Sequence, residues 1–169
     1  MAQRRRPIFV LDEGFPQPIL REALRLHVPE LDIRPVLDFD RRFVEQDTPD
    51  HVLIQGLWQL GAEGLVTVDD SMLYLPEVVM MIQQTRFSVV SVTRLGHDGI
   101  AASGLFLAYV GRIAKSHDPR KPQIWRLSAR LHPPIHSRDL AADIRRRSGN
   151  DPEAYKLTFD DLHNPVFGP

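Results

Sequence analysis

The stretch Gly64–Leu73, GLVTVDDSML, sets an apolar run of Leu65, Val66 and Val68 directly against two aspartates, Asp69 and Asp70. Aliphatic and β-branched residues in so short a run read as a buried strand. The same pattern occurs in IFVLDEG, residues 8–14, where Ile8 to Leu11 give way to Asp12, Glu13 and Gly14. One acidic strand end is ordinary turn and cap chemistry. Two of them on strands of one sheet outline a site.

Between and beyond these strands, helix and strand patterns alternate. A helix opens near Pro16, with Ile19, Leu20, Ala23 and Leu24 at helical spacing. LDIRPVLDF, residues 31–39, gives a weaker strand, demoted to a sheet edge by Pro35. QDTPDHVLIQGLWQLGAEG, residues 46–64, reads as a helix capped by Asp47 or Thr48, with Pro49 in its first turn and an apolar stripe of Leu53, Ile54, Leu57, Trp58 and Gly61. A helix over Pro76 to Gln84 follows, then a strand in RFSVVSVT, residues 86–93. Next come a long, largely buried helix from Asp98 to Ser116, whose Gly104 and Gly111 allow a neighbour close, and a fifth strand in PQIWRLSA, residues 122–129. Trp58 and Trp125 belong in the core. This order predicts an α/β fold of three layers, a Rossmann-like, mainly parallel sheet of about five strands flanked by helices. Residues 1–131 carry it. Residues 132–169 begin with the Pro-containing break HPPIHSRD, continue into a short basic helix over Asp139 to Arg147 and hold one more helical turn. So short a piece rarely builds its own core, so it reads as an extension rather than a second domain.

The 169 residues contain no cysteine, which removes disulfides, thiolate metal sites and cysteine nucleophiles. Any metal ligands are oxygens or imidazoles. The longest apolar run, LFLAYV at 105–110, is far short of the roughly 20 residues a membrane span needs. No apolar signal core follows the basic residues Arg4 to Arg6, so the expectation is a cytoplasmic protein without a membrane partner. The net charge of -1 is neutral towards nucleic acid, but basic residues cluster at Arg4 to Arg6, Arg41 and Arg42, Arg120 and Lys121, and Arg145 to Arg147.

In a parallel sheet all strands end on one edge, and ligands bind outside those carboxyl ends. Asp12 and Glu13 are thereby brought to the same rim as Asp69 and Asp70, although 57 positions separate Asp12 from Asp69. Asp50, in the first turn of the helix before the third strand, joins them if the connection from Phe39 to Pro49 carries the chain back over that rim. Carboxylates forced together repel one another unless a cation compensates. Mg²⁺ or Mn²⁺ suits such a set, because both are hard, oxygen-seeking ions content with a few carboxylates plus water and phosphate. Phosphodiester hydrolysis is the chemistry such a centre performs best.

FVLDEGFP followed by a helix, then TPDHVLIQGLWQLGAEGLVTVDDSML with its helix-opening acid, apolar strand and T-x-D, resembles the PIN-like nuclease domains. The likeness is greatest to the small branch related to VapC-type toxins of bacterial toxin–antitoxin pairs. It covers about residues 7 to 93, with the alternation continuing to Leu127. The resemblance implies a metal-dependent endoribonuclease in which Asp12, Asp50 and Asp69 hold Mg²⁺ or Mn²⁺, with Thr67 the hydroxyl residue of T-x-D. Glu13, Asp70 and Asp98 would stand in support. Many members carry an acid two positions after the T-x-D aspartate, where this chain has Ser71. Asp98 is the candidate for a fourth family acid. Arg41, Arg42 and Arg94 are candidates for seating an RNA backbone. The implied partners are RNA, a small antitoxin and a second copy of the chain.

Two other readings compete. A phosphoacceptor receiver domain places an acid pair after its first strand, an aspartate after its third and a hydroxyl residue after its fourth, positions met by Asp12, Glu13, Asp69 and Thr93. It also needs a lysine ending the fifth strand, where this chain has Ser128, Ala129 and Arg130. The remaining reading is a catalytically degenerate PIN-like fold kept as a binding module.

Overall fold

A computed structural model describes residues 6–95, 98–128 and 134–167. Arg4 and Arg5, Ala129 and Arg130, and the first two residues of the HPPIHSRD break lie outside the described residues, as does the side chain of Ile19. Four parallel pairings and one antiparallel pairing build a six-stranded sheet. Its strands are β1 (Ile8–Leu11), β2 (Asp32–Pro35), β3 (Gly64–Thr67), β4 (Ser88–Val92), β5 (Gln123–Leu127) and β6 (Ile135–His136), in the order β2-β1-β3-β4-β5-β6. β2 is an edge strand, as Pro35 demands.

The sheet is one strand wider than expected. β6 runs antiparallel to β5, pairing Ile135 with Ile124. Two residues are too few for any hydrophobic period, so the sequence carried no signal for this strand.

Alternate residues of each strand serve opposite layers. Phe9, Leu11, Val66, Val90, Trp125 and Leu127 face α1 (Gln17–His27) and α5 (Gly99–Ser116), which contribute Leu20, Leu24, Ala102, Phe106, Val110 and Ile113. Val10, Leu65, Val89 and Ile124 face the other layer. It comprises α2 (Arg42–Glu45), α3 (Asp50–Gln59), α4 (Pro76–Thr85), α6 (Ser137–Ser148) and α7 (Phe159–His163). Trp125 is buried in the core, and Trp58 packs partly buried against it.

The residues after 132 supply part of this second layer. Leu140, Ala141, Ile144 and Leu162 sit in the same core as the sheet. Side-chain amides bind them to the preceding chain. Gln55 Nε2 donates to the carbonyls of Asp161 (2.9 Å) and Leu162 (3.1 Å), and Gln59 Nε2 donates to that of Asn164 (2.6 Å). Gln84 donates to the Leu157 carbonyl (2.8 Å) and accepts the Leu157 N–H (3.0 Å).

Three local expectations are revised. Pro49, not Asp47 or Thr48, is the cap residue of α3, and it makes no side-chain cap bond. Asp47 takes a left-handed conformation (φ 48°), and the Thr48 hydroxyl donates to the Arg42 carbonyl (3.2 Å). α5 is buried on one side only. A Cβ built on Gly104 or Gly111 would meet nothing within 4 Å, so among the described residues neither glycine admits a neighbouring element. No helix among the described residues is long and apolar enough to cross a membrane.

Candidate active site at the carboxyl edge of the sheet

The strand order 2-1-3-4-5 of the parallel part reverses between β1 and β3, and ligands of open α/β sheets bind outside the carboxyl ends at such a reversal. Asp12 and Asp69 stand there. β1 and β3 run in register, Leu11 beside Val66, and the Asp12 N–H extends the ladder by donating to the Val66 carbonyl (2.9 Å).

One hydroxyl ties the two acids together. Thr67 Oγ1 donates to Asp12 Oδ2 (2.8 Å) and accepts the backbone N–H of Asp69 (3.0 Å). Thr67 itself is buried. Asp12 Oδ1 accepts the Glu13 N–H (2.7 Å), and Asp69 Oδ1 accepts the Ser71 N–H (2.8 Å). These bonds fix the direction of both carboxylates. The loop carrying Asp12 and Glu13 lies close upon β3, since a Cβ on Gly14 would stand 2.5 Å from Val68 Cγ2.

Asp50, the first residue of α3, comes within electrostatic reach of both acids. A 3₁₀ turn (Val36–Asp38) and α2 connect the end of β2 to it. The half-buried Asp50 carboxyl is pushed above the ordinary aspartate value of 3.8. Loss of water is the chief cause, followed by the negative charges of Asp69 and Asp12. His51 opposes the shift, and Glu77 adds to it.

Glu77, in the first turn of α4, is thus a fourth acid at the rim. Sequence reasoning passed over it because acids in a first helical turn are common. Asp98 is the cap of α5, its Oδ1 accepting the Ala101 N–H (2.9 Å). Asp70, half-buried, precedes a 3₁₀ turn (Ser71–Tyr74) without capping it. Glu13 is exposed.

No ion pair among the described residues involves Asp12, Asp50, Asp69 or Glu77. Among the described residues, negative charge therefore accumulates here with only His51 opposing it and no ion pair to balance it. The donor set is all oxygen, which suits Mg²⁺ or Mn²⁺. Among the described residues no three acidic or imidazole side chains close around one point. Mg²⁺ is commonly held by one or two carboxylates with water and phosphate completing the shell, so an open arrangement matches that ion.

The three arginines separate. Arg42 is engaged, its Nη2 lying 2.7 Å from Asp40 Oδ2 and its guanidinium 4.4 Å above the Phe167 ring. Arg41 is exposed at the start of α2. Arg94 is exposed in a left-handed turn (φ 65°) beyond β4, at the same edge as the acids. The Thr93 hydroxyl is taken up by the Leu127 carbonyl (3.2 Å). Compared with known protein families, curated proteins and solved structures, the chain matches none of them.

Proposed function

We propose that the protein is a metal-dependent endoribonuclease of the PIN-like class, with Asp12, Asp50 and Asp69 as its metal-holding carboxylates. The observation that supports this most is the chain Asp12–Thr67–Asp69, set at the reversal point of the sheet with Asp50 within electrostatic reach of both acids. A bound Mg²⁺ or Mn²⁺ would supply the positive charge that a phosphodiester and an attacking water need. The chain's own residues do the rest. Thr67 holds Asp12 in one orientation, the Ser71 N–H holds Asp69, and half-buried Asp50 is poised to give up its excess repulsion when a cation arrives. Glu77 deepens the negative field that draws a cation in. In the toxin reading, a small antitoxin covers this rim and a second copy of the chain pairs with the first.

The test is cleavage of single-stranded RNA by the purified chain in Mn²⁺ or Mg²⁺, with EDTA abolishing it and Asp69→Asn abolishing it while the fold persists. Cleavage by Asp69→Asn at the wild-type rate would remove Asp69 from the mechanism.

The receiver reading draws on the same strand order, which is also the flavodoxin-like one. Against it, the Thr93 hydroxyl is bonded to the Leu127 carbonyl and no lysine ends β5. Incubation with a small acyl phosphate separates the two, since a receiver gains a labile phosphoryl group on Asp69 and a nuclease does not. A degenerate binding module would bind RNA and cleave none.

A further inference from the structure

The register of the sheet places one polar residue from each of four adjacent strand ends in a single row. Asp12 lies beside Thr67 through their hydrogen bond, Thr67 pairs with Ser91, and Ser91 pairs with Arg126. All four side chains share the parity of Val10, Leu65, Val89 and Ile124, and so lie on the face toward α3 and α4.

The two ends of this row differ. At the β1 and β3 end the polar atoms satisfy one another. At the β4 and β5 end, Ser91 Oγ and the Nε and Nη2 atoms of Arg126 are out of solvent with no hydrogen-bond partner among the described residues. A guanidinium with two unbonded nitrogens withdrawn from water is an unusual thing for a fold to keep, because such groups are paired wherever they can be. The Tyr74 ring, 4.8 Å from the guanidinium carbon, offsets part of the cost. It accepts no directed pair of hydrogen bonds. Arg126 also lines a cleft of about 1040 Å³ whose other walls include Thr93, Arg94 and Ser128 and apolar residues of α5 such as Leu105.

We infer that Arg126, assisted by Arg94, is a phosphate-gripping subsite for single-stranded RNA, two strands along the rim from the carboxylates of β3. A planar guanidinium fork is the side chain best matched to a phosphate, which would accept the bonds the protein leaves unmade. The separation has a use. A phosphate held at the cation end lets the strand run toward the acidic end, where a neighbouring linkage meets the carboxylates without every phosphate having to approach them. Tyr74 is 43% exposed beside Arg126 and offers a face on which a base can stack. This inference rests on the nuclease reading of the acidic rim for the identity of its ligand.

The experiment follows binding of an end-labelled single-stranded oligoribonucleotide by fluorescence anisotropy in EDTA across a salt series, and cleavage of the same RNA in Mn²⁺. Arg126→Met is expected to weaken binding about tenfold and to lower the slope of log K against log salt by about 0.7, the value of one lost phosphate contact on a single strand. Arg126→Lys keeps the slope and recovers part of the affinity. If Arg126→Met fails to fold, Arg94→Asn, at an exposed turn, reads the same change in slope. Wild-type affinity and slope in the Arg126→Met variant, or in Arg94→Asn where that variant stands in for it, overturn the subsite, as does a wild-type chain that binds no RNA. Binding that depends on Arg126, in a chain that cleaves nothing, leaves the subsite standing and removes the nuclease reading alone.

Discussion

The two edges of the sheet each carry a hydroxyl joined to a titratable side chain, and they treat it in opposite ways. At the amino edge, His117 Nε2 lies 3.2 Å from Glu63 Oε2, and its Nδ1 lies 3.5 Å from the Ser88 hydroxyl. The imidazole is 3% exposed and meets the Phe9 ring edge-on at 5.2 Å. Serine, histidine and acid stand in the order of a hydrolase triad, yet Ser88 is completely buried and no substrate can reach it. At the carboxyl edge, the Thr67 hydroxyl links Asp12 to Asp69, and Asp50 faces both with Glu77 nearby. There no acid has an ion-pair partner among the described residues. Donors and acceptors matched under cover are what a fold uses to hold itself together. Like charges gathered at an open rim cost stability, and such clusters gather where chemistry is done.

This contrast is open to direct attack. The largest effect is expected from Asp12→Asn or Asp69→Asn. Either should lower metal-dependent RNA cleavage by more than the roughly 10–100-fold that loss of a residue behind a metal ligand costs, with the melting temperature unchanged or raised. Thr67→Val, which keeps the shape and deletes the hydroxyl, is placed within that roughly 10–100-fold range for cleavage and costs about 1–3 kcal/mol of stability, since Asp12 and the Asp69 N–H each lose a partner. His117→Ala should do the reverse. It lowers stability by about 2–4 kcal/mol, read by chemical denaturation, and leaves cleavage per folded molecule at the wild-type rate. Equal loss of cleavage from the His117 and Asp69 variants would erase the distinction between the edges.

The smallest effect concerns pH. Because the Asp50 carboxyl is pushed up in the folded state, the folded protein holds that proton where the unfolded chain has released it. Stability of the metal-free protein should therefore decline as pH rises from about the ordinary value of 3.8 through the raised folded one, and the full penalty persists at neutral pH. Asp50→Asn should flatten that limb of a denaturation curve measured against pH. Adding Mn²⁺ at neutral pH should raise the melting temperature of the wild type and leave Asp69→Asn nearly unmoved.

The division between what the sequence disclosed and what it withheld follows the same physics. β3 (Gly64–Thr67) and β4 (Ser88–Val92) are continuous runs of apolar or small residues because both faces are buried, and such runs can be recognised. Parallel pairing then gathers Asp12 and Asp69 at one edge without further information. Asp50 required the route of residues 36–49, which only the folded chain supplies. Glu77 was camouflaged by a second, ordinary reason for an acid to be where it is. Arg126 was hidden more deeply, because its relation to Ser91, Thr67 and Asp12 exists only through strand register, which no local pattern encodes. Gly104 and Gly111 were misread as a packing face because small residues at helical spacing look alike whether or not a neighbour arrives.

The glutamine clasps on the last stretch of chain have a consequence for how the protein is made. Polypeptide emerges from the ribosome amino end first, so β1 to β5 are all available before Leu157 and Leu162 have been synthesised. Until they appear, Gln55, Gln59 and Gln84 have nothing to hold, and the greasy flanks of α3 and α4 are left uncovered. The nascent chain therefore carries a sticky, unfinished surface until residues 157–162 have emerged, which makes it a client for chaperones during those seconds.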